Sequence, residues 1–127
     1  MNAVDSSAWL EYYSNGPNAE IFAPAIEAFD ELIVPSIVIY EVHKYARRQA
    51  AEHPVRLAVT QMERARVILL DPFLAKYAAE LSLELGLPMA DSIILATARM
   101  YDAKVWTQDS DFKDIPGVEY HPKGLKK

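Results

Sequence analysis

Leu32-Ile33-Val34-Pro35-Ser36-Ile37-Val38-Ile39-Tyr40-Glu41-Val42 changes its hydrophobic period in the middle. Residues 32–35 form an unbroken apolar run of strand length. From Ser36 onward Val38, Ile39, Val42, Tyr45 and Ala46 recur at helical spacing, which predicts a helix capped by Ser36 and running to about Glu52. A buried strand that feeds directly into a helix is the unit from which parallel sheets are built.

The same alternation extends in both directions. Ala3-Val4 leads into Asp5-Ser6-Ser7, all good capping types, and then into a helix carrying Trp9, Leu10, Tyr12 and Tyr13. Asn15-Gly16-Pro17 breaks that helix, and a second is expected from about Asn18 to Glu31 with a kink or early boundary at Pro24. Pro54 restarts a helix toward Arg66. Val67-Ile68-Leu69-Leu70 reads as a strand buried on both faces, followed by a helix from Phe73 to Leu85 that Gly86 terminates. Pro88 opens another helix, reaching Tyr101 or Asp102. Lys104–Thr107 and 118–121 complete the strands, with a turn or short helix over 109–114. Right-handed crossovers then imply a three-layer α/β/α sandwich with a mainly parallel central sheet.

Length and composition agree with one domain spanning residues 1–127, with residues 122–127 as a short basic tail. Half of the residues are apolar and 24% are charged, the profile of a globular chain and not of a disordered one. The sequence contains no cysteine, which excludes disulfides, thiolate zinc sites and a Cys nucleophile and suits a reducing cytoplasm. Neither a signal peptide nor a membrane span is expected, because Pro35 and Ser36 interrupt the longest apolar stretch. The net charge of −5 is unevenly spread. Residues 1–42 hold seven acids and no Lys or Arg, whereas residues 43–66 hold six basic residues against Glu52 and Glu63. Such a segment can attract a polyanion locally, with Arg47 and Arg48 the best placed for phosphate contacts, or it can be an ordinary solvated helix face.

Five acids sit where the expected fold brings distant segments together. Asp5 and Asp109 fall at or beyond carboxyl ends of strands, Asp91 in the first turn of a helix, Glu41 on the helix after the second strand, and Asp111 beside Asp109. Singly, each has a plain explanation as a cap, an ion-pair partner or a turn residue. Together, crowded carboxylates repel, so one or more should hold a raised pKa and a divalent cation should favour full ionisation. Oxygen donors without Cys or clustered His favour Mg2+ or Mn2+ over zinc. Such a centre suits phosphodiester hydrolysis. Ser6 and Thr107 can bond a carboxylate or a phosphate oxygen. His43, His53 and His121 lack metal-ligand spacing, and Trp9, Tyr12, Tyr13, Tyr40, Tyr45 and Trp106 read as core or interface more readily than as base-stacking platforms.

Asn2-Ala3-Val4-Asp5-Ser6-Ser7, Val34-Pro35 leading to Tyr40-Glu41-Val42, the run from Gly86 through Asp91 to Ala98, and Thr107-Gln108-Asp109-Ser110-Asp111-Phe112 together resemble the PIN domain family, specifically its VapC-like toxins. The resemblance spans almost the whole chain. It implies a metal-dependent endoribonuclease acting on RNA, usually a homodimer, held inactive by a small cognate antitoxin whose tail enters the active groove. Asp5, Glu41, Asp91 and Asp109 match the family's acidic quartet and Asp111 an additional acid. Asp5, Asp91 and Asp109 are then the metal ligands, Glu41 acts through water or orients ligands, and Thr107 supports the site. Two other classes compete: a receiver-like signalling domain phosphorylated on Asp71 with Thr107 and Lys123 assisting, and a non-catalytic PIN-like interaction module.

Overall fold

The computed structural model describes residues 1–124, so 125–127 of the expected basic tail lie outside the described residues. Five parallel strands form one sheet in the order β3-β2-β1-β4-β5: β1 Asn2–Val4, β2 Leu32–Pro35, β3 Arg66–Ile68, β4 Lys104–Thr107 and β5 Val118–Tyr120. The helices are α1 Ser6–Tyr13, α2 Ala19–Glu27, α3 Ser36–Arg47, α4 Ala58–Arg64, α5 Pro72–Leu85 and α6 Met89–Met100. Successive residues of a strand point to opposite faces, yet Ala3 and Val4 of β1 and all of β2 are buried, so both faces of the sheet are covered. α6 packs on β1, β2 and β4, and α5 packs on α6. Trp9, Phe22, Ile33, Met62, Ile94 and Phe112 are the large side chains at the heart of this core.

The strand order positions the site. The chain builds β1, β2 and β3 outward in one direction, then returns to place β4 on the free side of β1. A crevice therefore opens at the carboxyl ends of β1 and β4, the point where the winding reverses. Ala3 pairs with both Ile33 and Val105, and Asp5 N–H extends the β1–β4 ladder by donating to the Trp106 carbonyl at 2.9 Å.

Several boundaries differ from expectation for local reasons. α2 stops at Glu27, within a turn of Pro24, and a 3-10 turn over Phe29–Glu31 replaces its expected end. α3 ends at Arg47 and not near Glu52, and the Arg56 guanidinium takes the carbonyl of Gln49 at 2.6 and 3.2 Å just beyond it. Ser36 is the first helical residue of α3 and makes no capping bond, since Pro35 occupies the cap position. Between His53 and α4 lies a 3-10 turn, Pro54–Leu57, capped by His53 Nδ1, which accepts from Val55 N–H at 3.1 Å. The strand expected over 67–70, buried on both faces, is instead the edge strand β3. Leu69 and Leu70 lie past its end and are exposed.

Asp71 caps α5, its Oδ1 accepting from Leu74 N–H at 2.8 Å, and Gly86 closes the helix with φ of 69°. Replacing Asp71 by Ala should cost about 1 kcal/mol of stability in urea unfolding. A loss within ±0.2 kcal/mol of zero would show that the cap contributes nothing.

Candidate metal centre

Asp5 follows β1 directly and is the N-cap of α1, with only 3% of its surface exposed. Its Oδ2 accepts from Ser7 Oγ at 2.7 Å, from Thr107 Oγ1 at 2.8 Å and, more weakly, from Ser7 N–H at 3.4 Å. Both hydroxyl protons are thereby committed to Asp5, so the 3.3 Å approach of Ser7 Oγ to Thr107 Oγ1 is a contact without a proton of its own. Thr107 also accepts from Asp109 N–H at 2.9 Å, which ties the loop after β4 to the end of β1. Asp5 thus caps α1 and lines a cavity with other acids, and the same α1 geometry serves both.

Asp109 caps the 3-10 turn Ser110–Phe112, with Asp111 N–H donating to its Oδ1 at 2.9 Å. Asp91 lies buried in the first turn of α6, where the exposed N–H groups and the macrodipole favour an anion. One carboxylate oxygen from each of Asp91, Asp109 and Asp111 falls within 4.8 Å of the others. Glu41 stands on α3, and its Oε1 accepts from Ser6 Oγ at 2.5 Å. Asp5, Glu41, Asp91 and Asp109 line one cavity of about 420 Å3.

The electrostatics follow from burial first and repulsion second. Burial pushes the Asp5 carboxyl up despite the Ser7 and Thr107 hydrogen bonds, with Asp109 adding repulsion. Glu41 is raised by burial and by Asp5 and Asp109, against the Ser6 bond. Asp91 is pushed up to about 8 by burial, then by Asp5, Asp109, Asp111 and Glu41 in turn. No Lys or Arg forms an ion pair with any of these acids among the described residues. Hard oxygen donors, clustered and lacking a countercharge, fit a dication such as Mg2+ or Mn2+.

The site also contains Tyr40 and Tyr45, read from the sequence as core or interface, together with Lys44 and with Arg48, one of the two expected phosphate contacts. Tyr40, Lys44, Tyr45 and Arg48 line the same cavity, and Tyr40 is 59% exposed rather than packed in the core. Tyr40, Lys44 and Arg48 at i, i+4, i+8, with Glu41 and Tyr45 at i+1 and i+5, make a stripe visible in the sequence. Arg48 faces the acids, whereas Arg47 is absent from the cavity lining. Of the other basic residues of that segment, Arg56 is committed to backbone carbonyls and Arg66 lies over the Tyr101 ring at 4.8 Å. Ser7 was legible only as a cap, although its hydroxyl holds Asp5. Asp71 lines a separate cavity with Arg66 and Tyr101 and is not among the clustered acids.

The raised carboxyls set the sign of a pH effect. Between the ordinary value of 3.8 and about 8, folded Asp91 keeps a proton that the unfolded chain releases, so stability falls as pH rises through that window. Asp5 and Glu41 act in the same direction. Metal-free protein should melt at a higher temperature at pH 5 than at pH 8, by several degrees in a circular-dichroism scan. Asp91→Asn should flatten that difference, and Mn2+ should restore more stability at pH 8 than at pH 5. A melting temperature that rises from pH 5 to pH 8 in EDTA would contradict the electrostatic account.

Comparison with known proteins agrees with the architecture. A toxin–antitoxin complex from Klebsiella pneumoniae contains a similar structure, with a TM-score of 0.77, 25% identity, and coverage of 94% of this chain and 96% of that one. VapC20 from Mycobacterium tuberculosis, described as a Sarcin-Ricin loop cleaving toxin, has a TM-score of 0.71 at 20% identity, covering 96% of this chain and all of the other. VapBC2 from Rickettsia felis, solved with a DNA fragment from its promoter, has a TM-score of 0.71 at 16% identity, with 97% and 98% coverage. The last two likenesses concern fold alone. No curated protein matches the chain. The family model of the PIN domain matches residues 3–118, from the middle of β1 to the start of β5, and the chain belongs to the PIN domain family.

Proposed function

We propose that the chain is a metal-dependent endoribonuclease that hydrolyses RNA phosphodiester bonds with Mg2+ or Mn2+, acting as the toxin of a toxin–antitoxin pair. The observation that carries this reading is the convergence of Asp91, Asp109 and Asp111 within 4.8 Å beside buried Asp5 in a PIN domain. Asp5, Asp91 and Asp109, which line one cavity, would hold the cation, with Asp111 joining Asp91 and Asp109 through oxygens within 4.8 Å of theirs. A hard dication bound there neutralises the scissile phosphate and makes water a better nucleophile.

The remaining work belongs to the chain's own groups. Thr107 and Ser7 fix Oδ2 of Asp5 and leave Oδ1 without a hydrogen bond among the described residues. Ser6 fixes Glu41 through Oε1, leaving Oε2 to accept a proton from the attacking water. Lys44 and Arg48 hold phosphates on the α3 side, with Tyr40 and Tyr45 as faces for bases. Single-stranded or looped RNA is the form whose bases can reach such rings.

The partners in this reading are a small cognate antitoxin and a second copy of the chain. Support for the antitoxin comes from the structural likeness to a toxin–antitoxin complex. Support for the homodimer comes from an apolar surface on α5 and α6, where Phe73, Leu83 and Met89 are exposed, Leu83 by 84%. An apolar cavity of about 510 Å3 lies among Leu70, Ala78, Leu83, Met89 and Ile93. No single helix among the described residues is long and apolar enough to cross a membrane, and α5 and α6 reach that length only as a pair bent by 114°. A cytoplasmic location is part of the same proposal.

Purified chain incubated with a mixed RNA pool should cleave it with Mg2+ or Mn2+ and stop in EDTA. Asp5→Asn and Asp91→Asn should each reduce cleavage by ~10²-fold or more and weaken metal binding while the fold persists. Full activity in either variant defeats the assignment. Expression should arrest growth, and a small co-encoded protein should relieve the arrest. Leu83→Glu should convert a dimer into a monomer in analytical ultracentrifugation, and an unchanged sedimentation coefficient would remove this surface from the interface.

A further inference from the structure

A second cavity of about 400 Å3 lies on the opposite side of Asp109 from α3. Ser7, Gln108, Asp109, Ser110, Tyr120 and Lys123 line it, and Ser7 and Asp109 also line the cavity of the clustered acids. The two spaces therefore share a wall at Ser7 and Asp109. Each is of the size that holds a small ligand or one unit of a polymer.

This second cavity is a built feature. Asn18, itself buried, donates one amide hydrogen to Gln108 Oε1 at 3.1 Å and the other to the Pro122 carbonyl at 2.8 Å. One side chain thus ties together the wall carrying Gln108 and the segment carrying Lys123. The pairing leaves the Gln108 amide nitrogen without a partner among the described residues, so it remains an available donor. Tyr120 is paired with Thr107 across β4 and β5, which puts its ring on the same face of the sheet as Thr107, one strand farther from Asp5. It has neither a hydrogen bond nor a stacked ring among the described residues. The adjacent Trp106 and His121 stack on each other on the opposite face, with centroids 6.2 Å apart.

We propose that this cavity is a nucleotide subsite, receiving the nucleotide on the β5 side of the scissile phosphate. The inference rests on the ribonuclease reading and extends it. A strand cut at the clustered acids must continue on both sides of them, and α3 supplies cations and rings on only one. On the other side an unpartnered tyrosine ring offers a stacking face, Lys123 offers a cation to a phosphate, and Ser110 and Gln108 offer hydrogen bonds to a base edge. One ring and one cation together suit a nucleotide better than a peptide side chain. The β5-side nucleotide is thus a determinant of which RNA is cut.

The test is steady-state cleavage of a short single-stranded RNA whose cleavage point has been mapped, with Mn2+. Tyr120→Ala and Lys123→Ala should each raise KM roughly fivefold or more with kcat nearly unchanged, since stacking and phosphate contacts act on binding. Tyr120→Phe and Lys123→Arg should restore it, and Mn2+ affinity should not move in any variant. Trimming the RNA by one nucleotide from one particular end of the cleavage point should raise KM for the wild type but not further for Tyr120→Ala. Unchanged KM in both alanine variants overturns the subsite while leaving the ribonuclease reading intact. Unchanged KM with lost inhibition by the co-encoded antitoxin would assign the cavity to the partner protein and also overturn it. If the wild type cleaves nothing, the ribonuclease reading falls, and fluorescence anisotropy with the same labelled RNA decides the subsite alone: equal affinity of wild type and the Tyr120→Ala Lys123→Ala double variant overturns it.

Discussion

Mutual repulsion among buried carboxylates is the constraint around which this molecule is arranged. Asp5, Glu41 and Asp91 all have raised pKa values, and burial is the leading cause in each case. A cluster of this kind weakens the metal-free fold at neutral pH, and nothing within the described residues neutralises it by an ion pair. It persists because each acid is delivered by an element that the core holds independently: Asp5 by the end of β1, Asp91 by α6, Asp109 by the end of β4. The strain is electrostatic, and a bound dication would relieve it.

The strand order makes this delivery possible with few residues. Because β4 returns to lie against β1, Thr107 and Asp5 become neighbours although 102 positions separate them. The Thr107 hydroxyl donates to Asp5 and accepts from Asp109 N–H, so one side chain sets the distance between two acids from opposite ends of the chain. Serine at 107 could supply the same bonds, but a β-branched residue has less χ1 freedom and suits a strand position. α6 closes the arrangement by packing on β1, β2 and β4 together, which brings Asp91 over the reversal point.

Much of this was legible in the sequence, and the failures have physical causes. The switch from an unbroken apolar run to helical spacing at Ser36 located β2 exactly where it lies, because its four residues are buried on both faces and need no alternation. The same logic overextended β3: Leu69 and Leu70 look like core residues, but a strand at the sheet edge loses its cover, and the apolar character of those positions belongs to a surface. Asp5, Asp91 and Asp109 stand at ends of elements, which local signals mark well, whereas Glu41 lies inside α3 and was singled out only by the resemblance and its place in the expected fold. Tyr40, Lys44 and Arg48 were harder to place, since a mixed aromatic and basic stripe on a helix has no local sign of which partner it faces. The linking role of Ser7 was hidden as well, since its Oγ also accepts from Gln108 N–H at 3.3 Å, a bond across 101 positions that no spacing rule reaches.

Anchoring also bears on what cation binding has to accomplish. The hydrogen bonds to Asp5, Glu41 and Asp109 each occupy one oxygen and leave the other without a partner among the described residues. A carboxylate fixed by one oxygen loses little further freedom when the other meets a cation, so binding has less conformational entropy to overcome than at a site of loose side chains. Asp91 differs, since no hydrogen bond among the described residues holds its carboxylate and repulsion from four other acids falls on it. With its carboxyl raised to about 8, Asp91 should release a proton when a cation binds at neutral pH, and the raised carboxyls of Asp5 and Glu41 act in the same direction. Three of the acids are thus positioned by hydrogen bonds, while Asp5, Glu41 and Asp91 share the electrostatic cost.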